Sequence, residues 1–140
     1  MKLFSLLMFL SFSLPALAQD SWKVIHKGKQ KLATGVEKPE GNVVTINRAD
    51  LSGTGTFLIK YTEKEPRTGW TRTITMVDKG ENELHTHKGN LFTISNANLK
   101  KLFNKANTIY VYTWALPDDP ELAARIRIRR VHLSTIKLRG

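Results

Sequence analysis

Residues 109–116 read Ile-Tyr-Val-Tyr-Thr-Trp-Ala-Leu and have the strongest β-strand character in the chain, because β-branched and aromatic residues dominate them. Successive side chains of a strand point to opposite faces. Ile109, Val111 and Ala115 are therefore expected to face the core of the protein. The aromatic side chains then share the opposite face of the same strand: Tyr110, Tyr112 and Trp114.

Shorter runs of the same kind recur through the chain, and turn residues separate them. These predicted strands cover residues 22–26, 31–34, 43–46, 57–61, 70–77 and 91–94. Residues 63–69 contain Pro66, Gly69 and four charged residues, so we expect a polar hairpin loop there. Together the seven or eight short strands predict a single mainly β domain over residues 19–140. An antiparallel β-sandwich fits best, and jelly-roll and Ig-like topologies both stay open.

Two short helices complete the predicted secondary structure. The apolar side chains at positions 99, 102 and 103 lie at helical spacing, which indicates an amphipathic helix over residues 96–105. Asp119 is a good N-cap, and Pro120 suits the first helical position. Residues 121–124 are therefore expected to form about one helical turn.

The last predicted β segment, residues 125–138, changes phase twice. Aliphatic side chains at positions 126 and 128 have one parity, those at 131 and 133 have the other, and those at 136 and 138 return to the first. One flat strand cannot bury all of them on the same face. We therefore expect a bulge or tight turn near Arg129 and Arg130, and another near Ser134.

The N-terminal residues have the features of a cleaved export signal. Lys2 precedes an uncharged apolar run over residues 3–14, and Ala16 and Ala18 occupy the two positions that a signal peptidase reads. The run is shorter than the roughly 20 residues that a membrane span needs, and no other stretch could span a bilayer. We therefore expect removal of residues 1–18, a mature chain that begins at Gln19, and a periplasmic or secreted location.

Composition narrows the class of protein further. The chain has no cysteine, which excludes disulfides, thiolate catalysis and cysteine-bound zinc. Removal of residues 1–18 from the 140-residue chain leaves 21 basic and 12 acidic residues, a net charge of about +9. Nine of the basic residues but only three of the acidic ones lie in residues 100–140. An anionic partner is therefore expected to bind near the C-terminal third.

Arginines alternate with isoleucines over residues 125–130, and only about eight residues connect this stretch with residues 109–116. An antiparallel pairing of the two stretches would place the arginines beside the aromatic side chains. The candidate binding face then consists of Tyr110, Tyr112, Trp114, Arg125, Arg127 and Arg129.

Aromatic planes on such a face stack against bases or sugar rings, and guanidinium groups bind phosphate, sulfate or carboxylate through two parallel hydrogen bonds. Two structural alternatives stay open. The aromatic and arginine side chains either satisfy one another on the sheet surface, or both faces of residues 109–116 are buried.

A second candidate site is the sequence His85-Thr86-His87. Two histidines one residue apart on a strand point to the same side and can bind one metal ion. The pair resembles part of the metal motif of the cupin family, in which a glutamate follows about four residues later on a jelly roll. Leu91 or a neighbour occupies that position here. His26 and His132 are the other histidines that could complete a site, and the resemblance would imply a metal-dependent enzyme.

Other catalytic motifs are not found in the sequence. No serine lies in a Gly-x-Ser-x-Gly elbow, and the glycines at 53 and 55 lack the third glycine and the helix of a phosphate-binding loop. The sequence therefore favours a non-catalytic binding module, or a component of a cell-envelope assembly, that needs no cofactor. Its expected partner is a protein or an anionic polymer of the envelope. The alternatives are a cupin-like enzyme that uses His85 and His87, and a binder of acidic glycan or nucleic acid.

Overall fold

The computed structural model describes residues 19–140, and the predicted export signal in residues 1–18 lies outside them. Within the described residues the chain forms nine β-strands, two α-helices and one 3₁₀ helix. The strands are β1 (Ser21–His26), β2 (Lys29–Thr34), β3 (Val43–Asn47), β4 (Thr56–Thr62), β5 (Trp70–Val77), β6 (Glu83–Lys88), β7 (Leu91–Ser95), β8 (Thr108–Pro117) and β9 (Val131–Arg139). The helices are α1 (Asn96–Phe103), α2 (Pro120–Arg125) and the 3₁₀ helix Arg48–Leu51.

The strands form the predicted β-sandwich. A four-stranded sheet has the order β2-β1-β4-β7, and a five-stranded sheet has the order β3-β9-β8-β5-β6. The pair β3–β9 is parallel, although we expected an antiparallel sandwich. These two strands are far apart in sequence and no tight turn joins them, so the connection imposes no antiparallel direction.

Side chains alternate between the inner and outer faces of each strand, and the inward-facing ones form the core between the two sheets. Phe57 and Ile59 of β4 are fully buried, and so are Ile109 and Val111 of β8. The aromatic side chains on the other face of β8 are only half-buried. The predicted alternation of β8 is therefore confirmed at Ile109 and Val111, whereas Ala115, also expected to face the core, is only half-buried.

Residues 63–69 do not form a hairpin loop, which corrects the sequence-based expectation. The strand before them, β4, belongs to the four-stranded sheet, whereas the strand after them, β5, belongs to the five-stranded sheet. The loop carries the chain from one sheet to the other. Its polar composition predicts a surface turn, but the choice of sheet depends on contacts that are distant in sequence.

The expected pairing of residues 125–130 with β8 is wrong. Helix α2 ends at Arg125, residues 126–130 have no regular secondary structure, and β9 begins at Val131 opposite Thr113. The expected second break is confirmed, because the β8–β9 register shifts next to Val111 and leaves an extra residue on β9 beside Ser134. The first change of parity in residues 125–138 thus falls in the irregular residues 126–130, and the second falls at the register shift beside Ser134.

The two predicted helices are present. Ser95 caps α1, which buries Leu99 and Phe103 as its apolar spacing indicates. The side chain of Asp119 accepts a hydrogen bond from the backbone N–H of Glu121 at 3.0 Å, so the predicted N-cap of α2 is confirmed. No helix among residues 19–140 is long and apolar enough to cross a membrane.

Candidate binding cleft

A difference in length between β8 and β9 creates a cleft at one end of the sandwich. β8 stays paired with β5 as far as Pro117, but β9 pairs with β8 only from Val131 onward. Beyond this point the irregular residues 126–130 pass beside β8. The resulting space, which we call the arginine cleft, has a volume of about 340 Å³. Its aromatic and cationic lining consists of Tyr61, Trp70, Trp114, Arg67, Arg72, Arg127 and Arg129.

Arg72 is the most firmly held of the four arginines. It points inward from β5, and its guanidinium carbon lies 3.9 Å from the centre of the Tyr61 ring. Its Nε donates to Glu63 Oε1 at 3.0 Å, and one terminal nitrogen donates to the hydroxyl of Thr113 at 3.2 Å. The side chains of Arg72 and Glu63 are only 9% and 19% exposed. Arg72 is therefore fixed in one orientation at the inner end of the cleft.

Tyr61 connects this arginine with the start of the domain. Its ring lies parallel to that of Trp22, with the ring centres 6.0 Å apart. Its hydroxyl donates to one carboxylate oxygen of Asp20 at 2.8 Å, and the backbone N–H of Lys64 donates to the other at 2.9 Å. Burial, and then the hydrogen bond to Asp20, raises the pKa of Tyr61 well above its usual range. The hydroxyl therefore stays a donor, and both oxygens of Asp20 are engaged.

Arg67 stands on the outer side of the cleft. Its guanidinium carbon lies 3.6 Å from the centre of the Trp70 ring, which is a close cation–π contact. Among the described residues it forms no ion pair. The indole ring thus orients a guanidinium group whose hydrogen-bond donors are not taken by a carboxylate.

Residues 126–130 supply the other two arginines. Arg129 pairs with Glu37 at 3.1 Å, but its side chain is 75% exposed, so water weakens this ion pair. Arg127 is exposed and has no carboxylate partner within residues 19–140. The cleft therefore presents two arginines that are free of carboxylates, Arg67 and Arg127, and a third that is weakly paired.

The structure divides the predicted binding face into two parts. Trp114, Arg127 and Arg129 line the arginine cleft. Arg125 ends α2 and does not line the cleft. Tyr110 lies farther along β8, in register with Val77 of β5.

Tyr112 is covered by an arginine that the predicted face did not include. The guanidinium carbon of Arg130 lies 3.8 Å from the centre of the Tyr112 ring. Arg130 also donates to both carboxylate oxygens of Glu81, at 2.7 and 3.2 Å. These hydrogen bonds lower the pKa of the Glu81 carboxyl group. The contacts of Tyr112 thus match the structural alternative, in which the aromatic ring and an arginine satisfy each other.

The histidines of the cupin-like alternative do not form a metal site with the other two. His85 and His87 lie on β6 and meet the ring of Phe92 edge-on, with ring centres 5.4 and 6.4 Å apart. His26 is hydrogen-bonded to Asn96, and His132 to Thr135. In the part of the chain that the structure describes, no group of three His, Cys, Asp or Glu residues could hold a metal ion.

Four residues of the site were not predicted from the sequence: Tyr61, Arg67, Trp70 and Arg72. Arg67 lies in the loop that joins the two sheets and the other three lie on the strands beside it, and nothing local in the sequence brings this loop next to residues 126–130. One pattern in the sequence did point to them: on β5, Trp70 and Arg72 have the same parity as the buried residues Ile74 and Met76. A charged residue in a series of inward-facing apolar residues indicates a buried polar contact.

The chain matches no protein-family model, and comparison with curated proteins finds no match.

Proposed function

We propose that the chain is an exported, non-catalytic binding module that holds an acidic glycan in the arginine cleft. The observation that carries this proposal is the position of Arg67 and Arg127. Both line one cleft of about 340 Å³ beside aromatic rings, and neither has a carboxylate partner among residues 19–140.

The chemistry of the lining favours a sugar that carries carboxylate or sulfate groups. Guanidinium groups bind these anions through two parallel hydrogen bonds, and Arg67 is already oriented by its stacking on Trp70. Half-buried Trp114 lines the cleft from the outer face of β8, and indole rings are apolar surfaces of the kind that stack on sugar rings. The volume lies at the lower end of the range for small-ligand sites, so the cleft suits a short segment of a polymer.

The same lining supports binding rather than catalysis. Asp20, the carboxylate in the cleft wall, accepts hydrogen bonds on both oxygens. Glu63 is engaged by Arg72. No histidine within residues 19–140 lines the cleft. A general acid or base needs a carboxylate or imidazole that reaches the substrate, and the described lining offers none in that position.

The proposed location follows from residues 1–18, whose pattern predicts export to the periplasm or the exterior. Acidic polysaccharides of the cell envelope are accessible there, which favours a glycan over a nucleic acid. The envelope-assembly alternative requires a protein-docking surface, whereas the arginine cleft is a concave cationic site. We therefore place the binding module first.

A double substitution tests the cleft. We expect Arg67→Gln with Arg127→Gln to weaken the binding of a galacturonic acid oligomer by at least about tenfold, because each lost hydrogen bond to a charged group is worth about 1.5–3 kcal/mol. The dissociation constant should also depend less steeply on salt concentration, since fewer cationic side chains contact the ligand. Isothermal titration calorimetry at two salt concentrations measures both effects.

Arg125→Gln with Arg139→Gln is the matched control, because it also removes two arginine charges but lies outside the cleft. Its affinity should stay close to that of the wild type. The methyl-esterified oligomer, which has the same rings without charge, should bind weakly to all forms. Equal affinity of the double variant and the wild type for the acidic oligomer would refute the proposal.

A further inference from the structure

The four-stranded sheet has an unusual charge composition. Strands β1, β2 and β4 contain lysines, and none of the four strands β1, β2, β4 and β7 contains aspartate, glutamate or arginine. The lysines are Lys23, Lys29, Lys31 and Lys60. The three ion pairs among the described residues all use arginines, so no lysine of this sheet has a carboxylate partner there.

Two of these lysines lie directly opposite each other on the outer face. Lys23 of β1 is in register with Lys60 of β4, and both are exposed. These are the two central strands of the sheet, about 4.8 Å apart. Like charges in directly opposed positions destabilise a sheet. No ion pair among residues 19–140 compensates this repulsion, so both ammonium groups are available to an anionic partner.

Aliphatic and small polar residues surround this pair. Ala33 and Leu91 flank the lysines in the same row across the sheet, and Leu91 is 50% exposed. The neighbouring rows on the same face contain half-buried Ile25 and Leu58 together with uncharged polar residues: Ser21, Gln30, Thr62 and Thr93. Aromatic side chains of the four strands all point inward. The face thus presents lysines, aliphatic groups and uncharged polar groups, without the aromatic planes that sugar binding uses.

We infer that the outer face of the four-stranded sheet docks on the surface of an anionic phospholipid bilayer. Lysine ammonium groups bind lipid phosphates as point charges while their apolar stems lie along the aliphatic surface. Leu91 can enter the boundary between headgroups and acyl chains. A lysine pair spread over a sheet surface fits a planar array of phosphates, whereas the concave arginine cleft fits a short segment of an acidic polymer. This inference is independent of the function proposed for the cleft.

The test compares vesicle binding of two variants with equal net charge, made in the protein without residues 1–18. Both sheets and the whole described core lie in residues 19–140. The wild type should sediment with vesicles of phosphatidylglycerol and phosphatidylcholine, and should bind pure phosphatidylcholine weakly. Lys23→Gln with Lys60→Gln should weaken binding to the anionic vesicles by about 25-fold, about fivefold for each lysine.

The control is Lys79→Gln with Lys137→Gln, which removes two exposed lysines, one from the turn between β5 and β6 and one from β9. It should change vesicle binding by less than about threefold, because both positions belong to the other sheet of the sandwich, and stacked sheets lie about 10 Å apart, roughly one screening length. Thermal melting should show that the Lys23 and Lys60 variant is at least as stable as the wild type, because the substitution relieves repulsion.

Leu91→Ser separates a lipid surface from a soluble polymer. It should weaken binding to anionic vesicles and leave binding to polyglutamate unchanged, because only a bilayer offers an apolar boundary for the leucine. Equal losses for the two double-lysine variants would overturn the inference, since net charge alone would then explain vesicle binding. Unchanged vesicle binding by Leu91→Ser would assign the face to a soluble polyanion and would also overturn it.

Discussion

Phe92→Ala should lower the free energy of unfolding by about 3–5 kcal/mol, the cost of replacing a fully buried phenylalanine by alanine. Phe92 lies on β7, is completely buried, and pairs across the sheet with Ile59. Its ring also meets His85 and His87 of the opposite sheet edge-on. The truncation therefore removes contacts that join the two sheets. Urea unfolding followed by circular dichroism measures the change.

Leu91→Ala is the matched control for this substitution. Leu91 is the adjacent residue on the same strand, points outward and is half exposed, so its truncation should change stability by no more than about 0.5 kcal/mol. The contrast between neighbouring positions follows from the alternation of the strand. Similar costs at the two positions would show that β7 does not turn Phe92 into a core between the sheets.

Glu63→Ala should destabilise the protein by about 3 kcal/mol, near the lower end of the range for breaking a buried ion pair. The substitution leaves the guanidinium group of Arg72 largely buried without its carboxylate. The stacking on Tyr61 and the hydrogen bond to Thr113 remain, but they do not neutralise the charge. Chemical denaturation at neutral pH gives the size of the effect.

Two further variants test whether the unpaired charge of Arg72 causes the loss of stability in Glu63→Ala. Glu37→Ala removes the partner of exposed Arg129 and should cost no more than about 1 kcal/mol, as exposed ion pairs do. Adding Arg72→Met to Glu63→Ala should restore part of the lost stability, because no unpaired buried charge is left. Thr113 tolerates this change, since its hydroxyl already donates to the carbonyl oxygen of Thr73 at 2.7 Å. Equal costs for Glu63→Ala and Glu37→Ala would contradict the burial of the Arg72 pair.

Local patterns in the sequence were sufficient to predict most of the individual elements. The two-residue period identified the inner and outer faces of β8, and the phase changes after Arg125 identified where the C-terminal strand is interrupted. The cap formed by Asp119 was predictable because it depends on neighbouring residues alone. Each of these features is determined within a few residues of the chain.

Strand β6 was missed because its sequence is polar. Residues 83–88 contain glutamate, two histidines and lysine, which have little β propensity. β6 is an edge strand that pairs only with β5, and polar side chains are common at such edges because they discourage pairing with other molecules. Its conformation depends on the ladder with β5 rather than on its own residues.

The cleft could be predicted only in part, because its walls come from distant segments. Alternating arginines and isoleucines drew attention to residues 125–130, and two of these arginines do line the cleft together with Trp114. Arg67 and Arg72 reach it because the loop after β4 crosses to the other sheet. That crossing is decided by the packing of the whole sandwich, which no local pattern encodes.

The indole N–H signals in a two-dimensional NMR titration with the galacturonic acid oligomer test the proposed binding site most directly. The chain has three tryptophans, two of which, Trp70 and Trp114, line the arginine cleft. The third, Trp22, is buried and donates its indole hydrogen to the carbonyl oxygen of Leu133 at 2.9 Å. Binding in the cleft should shift the Trp70 and Trp114 signals with one common dissociation constant and leave the Trp22 signal in place. Unchanged Trp70 and Trp114 signals at saturating oligomer would contradict binding in the arginine cleft.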